Sequence, residues 1–264
     1  MNPSRQLDRE RYRAQLLLDE VGEAGQSRLR EGRVLVVGVG GLGSPAALYL
    51  TAAGVGTVGL CDADRVEPSN LQRQILHRTA SIGVRKVESA AEQLRALNPE
   101  VTIRCHAERL TPDNALARVR DYDFVIDATD NFASKFLIND AAFFADRPFC
   151  HAGIVRYSGQ LMTVLPRRSA CYRCLFEHPP PPGSVPTPAE VGVLGPVPGV
   201  LGSLQAVEAL KFLLGLEPLL TDTLVTYDAL RPGFRQITLP RSPQCPLCGS
   251  TPSITSLGLG FQPL

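Results

Sequence analysis

Apolar and polar positions along this chain fall into two alternating kinds of block. Short apolar runs at 33–37, 57–62, 101–106 and 123–127 have the length and composition of buried strands. Between and after them, 44–54, 84–97, 113–119 and 131–145 read as helices. Such alternation predicts an α/β fold, a doubly wound Rossmann-like and mostly parallel sheet. Upstream, 1–31 is expected to be a helical, amphipathic segment with Tyr12, Leu16, Leu17 and Val21 on one face. Downstream, 148–154 and 158–165 read as two more strands, the second antiparallel across Tyr157-Ser158-Gly159.

The pattern breaks at 177–198, where Pro179 to Pro182, Gly183, Pro186, Pro188, Pro196 and Pro198 predict a long irregular crossover connection. After it, Val200, Leu201, Leu204, Val207 and Leu210 recur at helical spacing, with Gly215 placed as a C-cap. Strands near 223–228 and 234–239 follow, giving a C-terminal antiparallel subregion, and the low-charge tail 250–264 is expected to be loose. The expected division is therefore 1–31, a nucleotide-binding domain over 32–170, a clamped subregion over 171–249, and the tail.

Composition narrows the class. A chain of 264 residues with 44% hydrophobic content can bury one large core. Its 27 Lys+Arg against 26 Asp+Glu give a net charge of +1, which supplies no general field for nucleic acid or membrane. Met1 to Arg13 is polar and mixed in sign, without an apolar leader core. The longest uncharged run, Val191 to Val207, is interrupted by Pro196 and Pro198. A soluble cytoplasmic protein is expected. In that compartment the seven cysteines are not a disulfide framework. Four form the pairs Cys171/Cys174 and Cys245/Cys248, and together they suit a tetrahedral structural zinc that clamps the C-terminal segment onto the body. Cys61, Cys105 and Cys150 lie in apolar segments and read as buried spectators.

The chemistry starts after the first strand. Gly38, Gly40, Gly41 and Gly43 follow Val34-Leu35-Val36-Val37, and Asp62 closes the next apolar run. Strand, glycine turn, helix, strand and acid form a unit whose turn can hold phosphates and whose acid can hold a ribose. A dehydrogenase would need no more than this. Here Arg73 and Lys86 follow, and Asp127-Ala128-Thr129-Asp130-Asn131 ends the apolar strand Phe124-Val125-Ile126. Strand ends of a parallel sheet converge on one crevice. Arg73 and Lys86 can neutralise phosphate oxygens and Asp130 can hold Mg²⁺, which fits a triphosphate. Asp127 reads as a structural acid at a strand end. Asp64 reads equally well as a phosphate-side acid or a turn cap. His77, His106, His151 and His178 show no partner arrangement.

In combination these motifs resemble the ThiF/MoeB-type adenylyltransferases, relatives of the ubiquitin-activating enzymes. The matching residues are Gly38 to Gly43, Asp62 to Asp64, Ser69 to Gln74, Lys86, Asp127 to Asn131, Cys171-Tyr-Arg-Cys174, Gly199 to Glu208, Tyr227 to Ala229 and the final cysteine pair. The resemblance implies that ATP adenylates the C-terminal Gly-Gly carboxylate of a small ubiquitin-like sulfur-carrier protein, within a homodimer. It implies that Gly38, Gly40, Gly41 and Gly43 pack on the nucleotide and Asp62 binds the ribose. Asn70, Arg73 and Lys86 would hold phosphates, and Asp130 would hold Mg²⁺.

Two positions depart from the family pattern. The arginine that members send to the neighbouring subunit's ATP falls on Ala14, so Arg13, Arg11 or Arg9 would have to replace it. Loss of that contact is expected to slow the chemistry by about 10² to 10³. The loop cysteine of the family falls on Pro188, and no cysteine occurs between Leu175 and Gln244. A thioester on this loop is therefore excluded, Cys150 is the one stand-in, and a separate sulfur donor is expected. The rival readings are adenylation of a peptide C-terminus or tRNA base, and a non-catalytic ATP-binding scaffold.

Overall fold

The computed structural model describes residues 9–181, 183–185, 188–231 and 233–258. An eight-stranded sheet runs through them in the order β3-β2-β1-β4-β5-β6-β7-β8. β1 (Arg33–Val37), β2 (Thr57–Cys61), β3 (Thr102–His106), β4 (Phe124–Asp127) and β5 (Phe149–Val155) pair in parallel. β6 (Ser158–Val164), β7 (Thr223–Asp228) and β8 (Phe234–Thr238) continue the sheet antiparallel. The doubly wound sheet with an antiparallel C-terminal part is as the apolar runs predict.

β1 shows why. Val34 and Val36 are buried in one core cluster, Leu35 and Val37 in a second on the opposite face. A strand covered on both sides reads as a continuous apolar run. One layer holds α2 (Gly22–Glu31), α3 (Gly43–Ala52), α4 (Lys86–Leu97) and α9 (Pro196–Leu214); the other holds α5 (Pro112–Arg120) and α6 (Phe132–Ala145). Helix starts follow local chemistry. Thr111 and Asn114 form a capping box ahead of α5, and the Asn131 side chain accepts from Ser134 N to start α6. α9 carries prolines in its first turn and ends on Gly215 at φ 71°. By length and composition α9 could cross a bilayer, yet half of its apolar window is buried inside this fold, as in a core helix.

The described part of the N-terminal segment is helical as expected, but the helix is interrupted. It is not one helix: α1 (Arg13–Leu16) and α2 are separate, and Gly22 sits at φ 51°, which an uninterrupted helix does not allow. Tyr12 and Val21 are buried as predicted, but Leu17 is 75% exposed. Tyr12 is held by Asn98, whose Nδ2 donates to its hydroxyl at 2.8 Å. Residues 1–8 lie outside the described part. The tail is firmer than expected at its start, because Ser253 and Ile254 donate to Pro246 O and Ile254 is buried. Its end, 259–264, also lies outside. Cys61 and Cys150 are buried as expected, whereas Cys105 is exposed, on a strand whose pattern is mostly open.

Candidate functional site

The sheet reverses its winding between β1 and β4, and the loops leaving these two strands touch. Gly38 has φ 90°, and a Cβ there would lie 2.7 Å from Ala128 O. At Gly43 a Cβ would lie 1.9 Å from Gly38 O, so this glycine closes the turn against α3 and does not line the cleft. Gly40 and Gly41 do line it, together with Asp62, Arg73, Lys86 and Asp130. These residues, scattered from 38 to 130 in sequence, border a single cleft of about 1810 Å³.

Each charged group there is held differently. Asp62 accepts Val39 N on Oδ2 and Asp64 N on Oδ1, both at 2.8 Å, which fixes the carboxylate while leaving each oxygen a further lone pair for hydroxyls. Lys86 Nζ lies 3.1 Å from Asp64 Oδ2 and is nearly buried, so Asp64 acts as its counter-ion. Arg73 donates to Ser69 O at 3.0 Å. Asp130 is exposed and forms no ion pair among the described residues. Asn70 is buried below this surface; its Oδ1 accepts Glu67 N in the capping box of the 3-10 turn Pro68–Asn70. Its amide is thus occupied in shaping the turn that leads to Arg73.

Beneath the cleft lies a polar network that the strand pattern concealed. Asp127 is fully buried; its Oδ2 accepts His151 Nδ1 at 2.7 Å, and Lys135 Nζ lies 3.3 Å away. Burial opposes its ionisation, but Lys135, then His151 and Thr129, outweigh that and bring the carboxyl down to about 2. Thr129 N and Oγ1 both donate to Asp127 Oδ1, tying down the loop that carries Asp130. Gln205 of α9 donates to Asp127 O and Cys150 O. His77 bridges Val39 O and Ser89 Oγ, so it props the glycine loop from behind. Both histidines therefore have partner arrangements, contrary to the reading from sequence. The available signal was polarity out of place, a histidine inside the apolar run Phe149-Cys150-His151-Ala152.

The four paired cysteines meet. Cys171 and Cys174 lie in and beside α7 (Tyr172–Leu175), and their sulfurs stand 3.5 Å from Cys245 and 3.4 Å from Cys248 respectively. All four sulfurs fall within 4.8 Å of one another. A tetrahedral zinc with Zn–S near 2.3 Å requires sulfurs about 3.8 Å apart, so the cluster fits that ion. Hydrogen bonding among the four thiols pushes Cys174 and Cys245 down and Cys171 and Cys248 up, so without a metal the cluster shares its protons unevenly. Backbone N–H groups of Ser242 and Cys248 point at the sulfurs of Cys174 and Cys245. Between this knuckle and the cleft, Arg173 forms a bidentate pair with Asp140 at 2.7 and 2.8 Å, both buried, and donates to Glu177 O where the crossover connection begins.

The crossover connection passes along the cleft, with His178, Pro179, Pro181 and Val185 in its lining. It is anchored at its far end by Arg156 N to Gly192 O and Leu194 N to Arg156 O. α8 (Pro188–Val191) begins at Pro188. Cys150 is fully buried, and burial pushes its thiol well above its usual range. Of the three N-terminal arginines, Arg9 pairs with Glu23 and Arg11 donates to Leu97 O, while Arg13 is exposed at the start of α1.

A doubly wound sheet with glycines, basic residues and an exposed carboxylate at one cleft, and a four-thiol knuckle behind it, defines a nucleotide-binding protein of the activating-enzyme type. The profile of the ThiF family matches residues 12–247, and the chain belongs to that family. Among known proteins, it is 48% identical over 249 residues to the sulfur carrier protein adenylyltransferase of Thermus thermophilus, covering 92% of each chain. It is 50% identical over 248 residues to the adenylyltransferase and sulfurtransferase MOCS3 of Sus scrofa, covering 94% of this chain and 54% of that one. The chain thus spans about half the length of that two-activity relative. Among solved structures, Escherichia coli MccB superposes with a TM-score of 0.81 at 23% identity, over 93% of this chain and 74% of that one, which shows the shared fold.

Proposed function

We propose that this adenylyltransferase of the ThiF family uses ATP to adenylate the C-terminal Gly-Gly carboxylate of a small ubiquitin-like sulfur-carrier protein in the cytoplasm. The observation that carries the reading is the single cleft: the groups suited to ribose and phosphates stand at the β1/β4 end, and the space continues over β5, β6 and β7. The 48% identity to a sulfur carrier protein adenylyltransferase supports the choice of substrate.

In the proposed reaction a carboxylate oxygen of the carrier attacks the α-phosphorus, the bond to the bridging oxygen breaks, and acyl-adenylate and pyrophosphate leave. No proton moves, so no general base is needed. Gly40 and Gly41 admit the nucleotide without side-chain obstruction, and Asp62 accepts the ribose hydroxyls. Arg73 and Lys86 stabilise charge on the phosphates. Asp130 would hold Mg²⁺, which would neutralise phosphate charge when bound. Cys171, Cys174, Cys245 and Cys248 would hold zinc, which has a structural part only.

The absence of cysteine from Leu175 to Gln244 and the buried, raised thiol of Cys150 support a reaction that stops at the adenylate and passes it to a separate sulfur donor. A homodimer, in which Arg13 supplies the arginine missing at position 14, is part of the same reading. The test is carrier-dependent ATP–pyrophosphate exchange with intact and glycine-truncated tails. Exchange with the intact tail alone is expected. ATP binding without exchange by any carrier would replace this reading with the scaffold, and exchange with an unrelated peptide C-terminus would replace the substrate.

A further inference from the structure

The Asp127 carboxylate fixes the tautomer of His151. An ionised carboxylate 2.7 Å from Nδ1 requires a hydrogen there. Nε2 of the neutral ring then carries a lone pair. Burial first, then the Lys135 ammonium, lowers the pKa of this histidine, which keeps the ring neutral near pH 7. His151 is 1% exposed, yet Nε2 has no hydrogen-bond partner among the described residues. Buried acceptors without a donor are uncommon and costly.

The place of this atom limits what can satisfy it. His151 borders the cleft beside Gly153, beyond Asp130 along the sheet. A Cβ on Gly153 would lie 3.7 Å from His151 Nε2 and 3.8 Å from Gln160 Nε2. Nε2 itself has virtually no accessible surface, so a donor reaches it only when a neighbouring side chain swings aside, and Gln160 is the one that stands beside Gly153. Phosphates and carboxylates bring only acceptors and cannot satisfy Nε2. The ribose hydroxyls belong with Asp62, three strands away across the sheet. A trapped water satisfies such an acceptor, and so does an N–H on a strip of chain without side-chain bulk.

We infer that His151 Nε2 accepts a backbone N–H from the glycine tail of the substrate and so sets the register of the tail in the cleft. The inference rests on the proposed adenylation of a Gly-Gly terminus. Asp127 gives the contact its reach. One carboxylate oxygen orients His151, and the other ties Thr129, next to Asp130. Tail register and the phosphate end of the site therefore hang from a common buried post. His151 is a positioning residue: it holds the carboxylate in line and takes no part in bond exchange.

The experiment is pyrophosphate exchange with three carriers: one with an unmodified tail and two semisynthetic versions, N-methylated at the last or the penultimate glycine nitrogen. Each is assayed with the wild-type chain and with His151→Asn, which keeps an N–H for Asp127 but places no acceptor at Nε2. The kcat/KM for carrier is expected to fall about tenfold in His151→Asn while the KM for ATP holds. One of the two methylated tails should show a similar fall with the wild-type chain. Combined with His151→Asn, that tail should lose no more than either change alone. Additive losses, or a KM for ATP that moves in step, would overturn the inference. So would two methylated tails that react as well as the unmodified one with the wild-type chain, an arm that needs no variant to fold. Exchange with no Gly-Gly carrier at all would remove the underlying reading; exchange without any methylation effect removes only the role of His151.

Discussion

In the parallel half of the sheet, charged side chains reach the cleft already tethered: Asp62 by two backbone N–H groups, Lys86 by Asp64, Arg73 by Ser69 O. The antiparallel half offers few such tethers. All of β8 is exposed, including Phe234 and Ile237, and the crossover connection is fixed near its two ends by Arg173 and Arg156. Under the proposed function, the difference follows from what each half has to do. Phosphate charge is stabilised best by groups that need no reorganisation when it develops. A macromolecular partner is held by area, which an exposed edge supplies. Rigidity in the second half therefore has to come from below, through the thiol knuckle and the Arg173–Asp140 pair.

The largest effect should come from removing that support. Structural zinc in small domains contributes on the order of 10 kcal/mol. Metal analysis should find about one zinc per chain. Chelation should loosen 239–258 toward protease and abolish carrier-dependent exchange before it affects ATP binding. If ATP binding fails in parallel, the halves are not separable; a folded chain isolated without zinc would sink the clamp.

Next is Asp140→Ala. It strands Arg173 in a site where only 2% of that residue is exposed, and an uncompensated buried charge costs about 3–5 kcal/mol. Denaturant unfolding measures it. The double change Asp140→Leu with Arg173→Met should cost less than Asp140→Ala alone, since no charge is then stranded. Equal costs would mean that the pair matters for shape and not for charge.

Asp130→Ala tests the other half. The residue is exposed and has no ion-pair partner among the described residues, so the melting temperature should hold while exchange falls about 10³-fold. Wild-type rates would remove Asp130 from the site.

How much of this could be read beforehand follows the same division. Parallel strands buried on both faces announce themselves as apolar runs, and the residues at their ends are in the site by topology alone. That is why Gly38, Asp62 and Asp130 could be placed together from spacing. Lys135, His151 and Gln205 could not. Each is polar inside an apolar run, and only the three-dimensional meeting of β4, β5, α6 and α9 gives it a partner. Asn70 shows the converse: a motif position whose Oδ1 also shapes the local turn by accepting Glu67 N, which the motif alone does not reveal. In the N-terminal segment only Leu17 misses its predicted face, since 17–21 form a turn between the two helices and the helical spacing does not run through it.

The smallest effect sharpens the comparison most, because it asks whether the tether on Lys86 is structural or temporary. Lys86 is 9% exposed at its side chain but Asp64 is 60% exposed, so solvent screens the pair and its share of stability is about 0–1 kcal/mol. Asp64→Asn should hardly change the unfolding midpoint. Its effect on ATP has a definite sign if Asp64 only parks the ammonium. A phosphate must then compete with the carboxylate for Lys86, and neutralising the carboxylate should lower the KM for ATP by roughly two- to fivefold at low ionic strength, a gain that shrinks as salt is added. A KM that rises instead would show that Asp64 contributes on the phosphate side, with its carboxylate directed at whatever cation accompanies the nucleotide. In that case the acid beside Lys86 is part of the nucleotide half's working charge and not its resting partner.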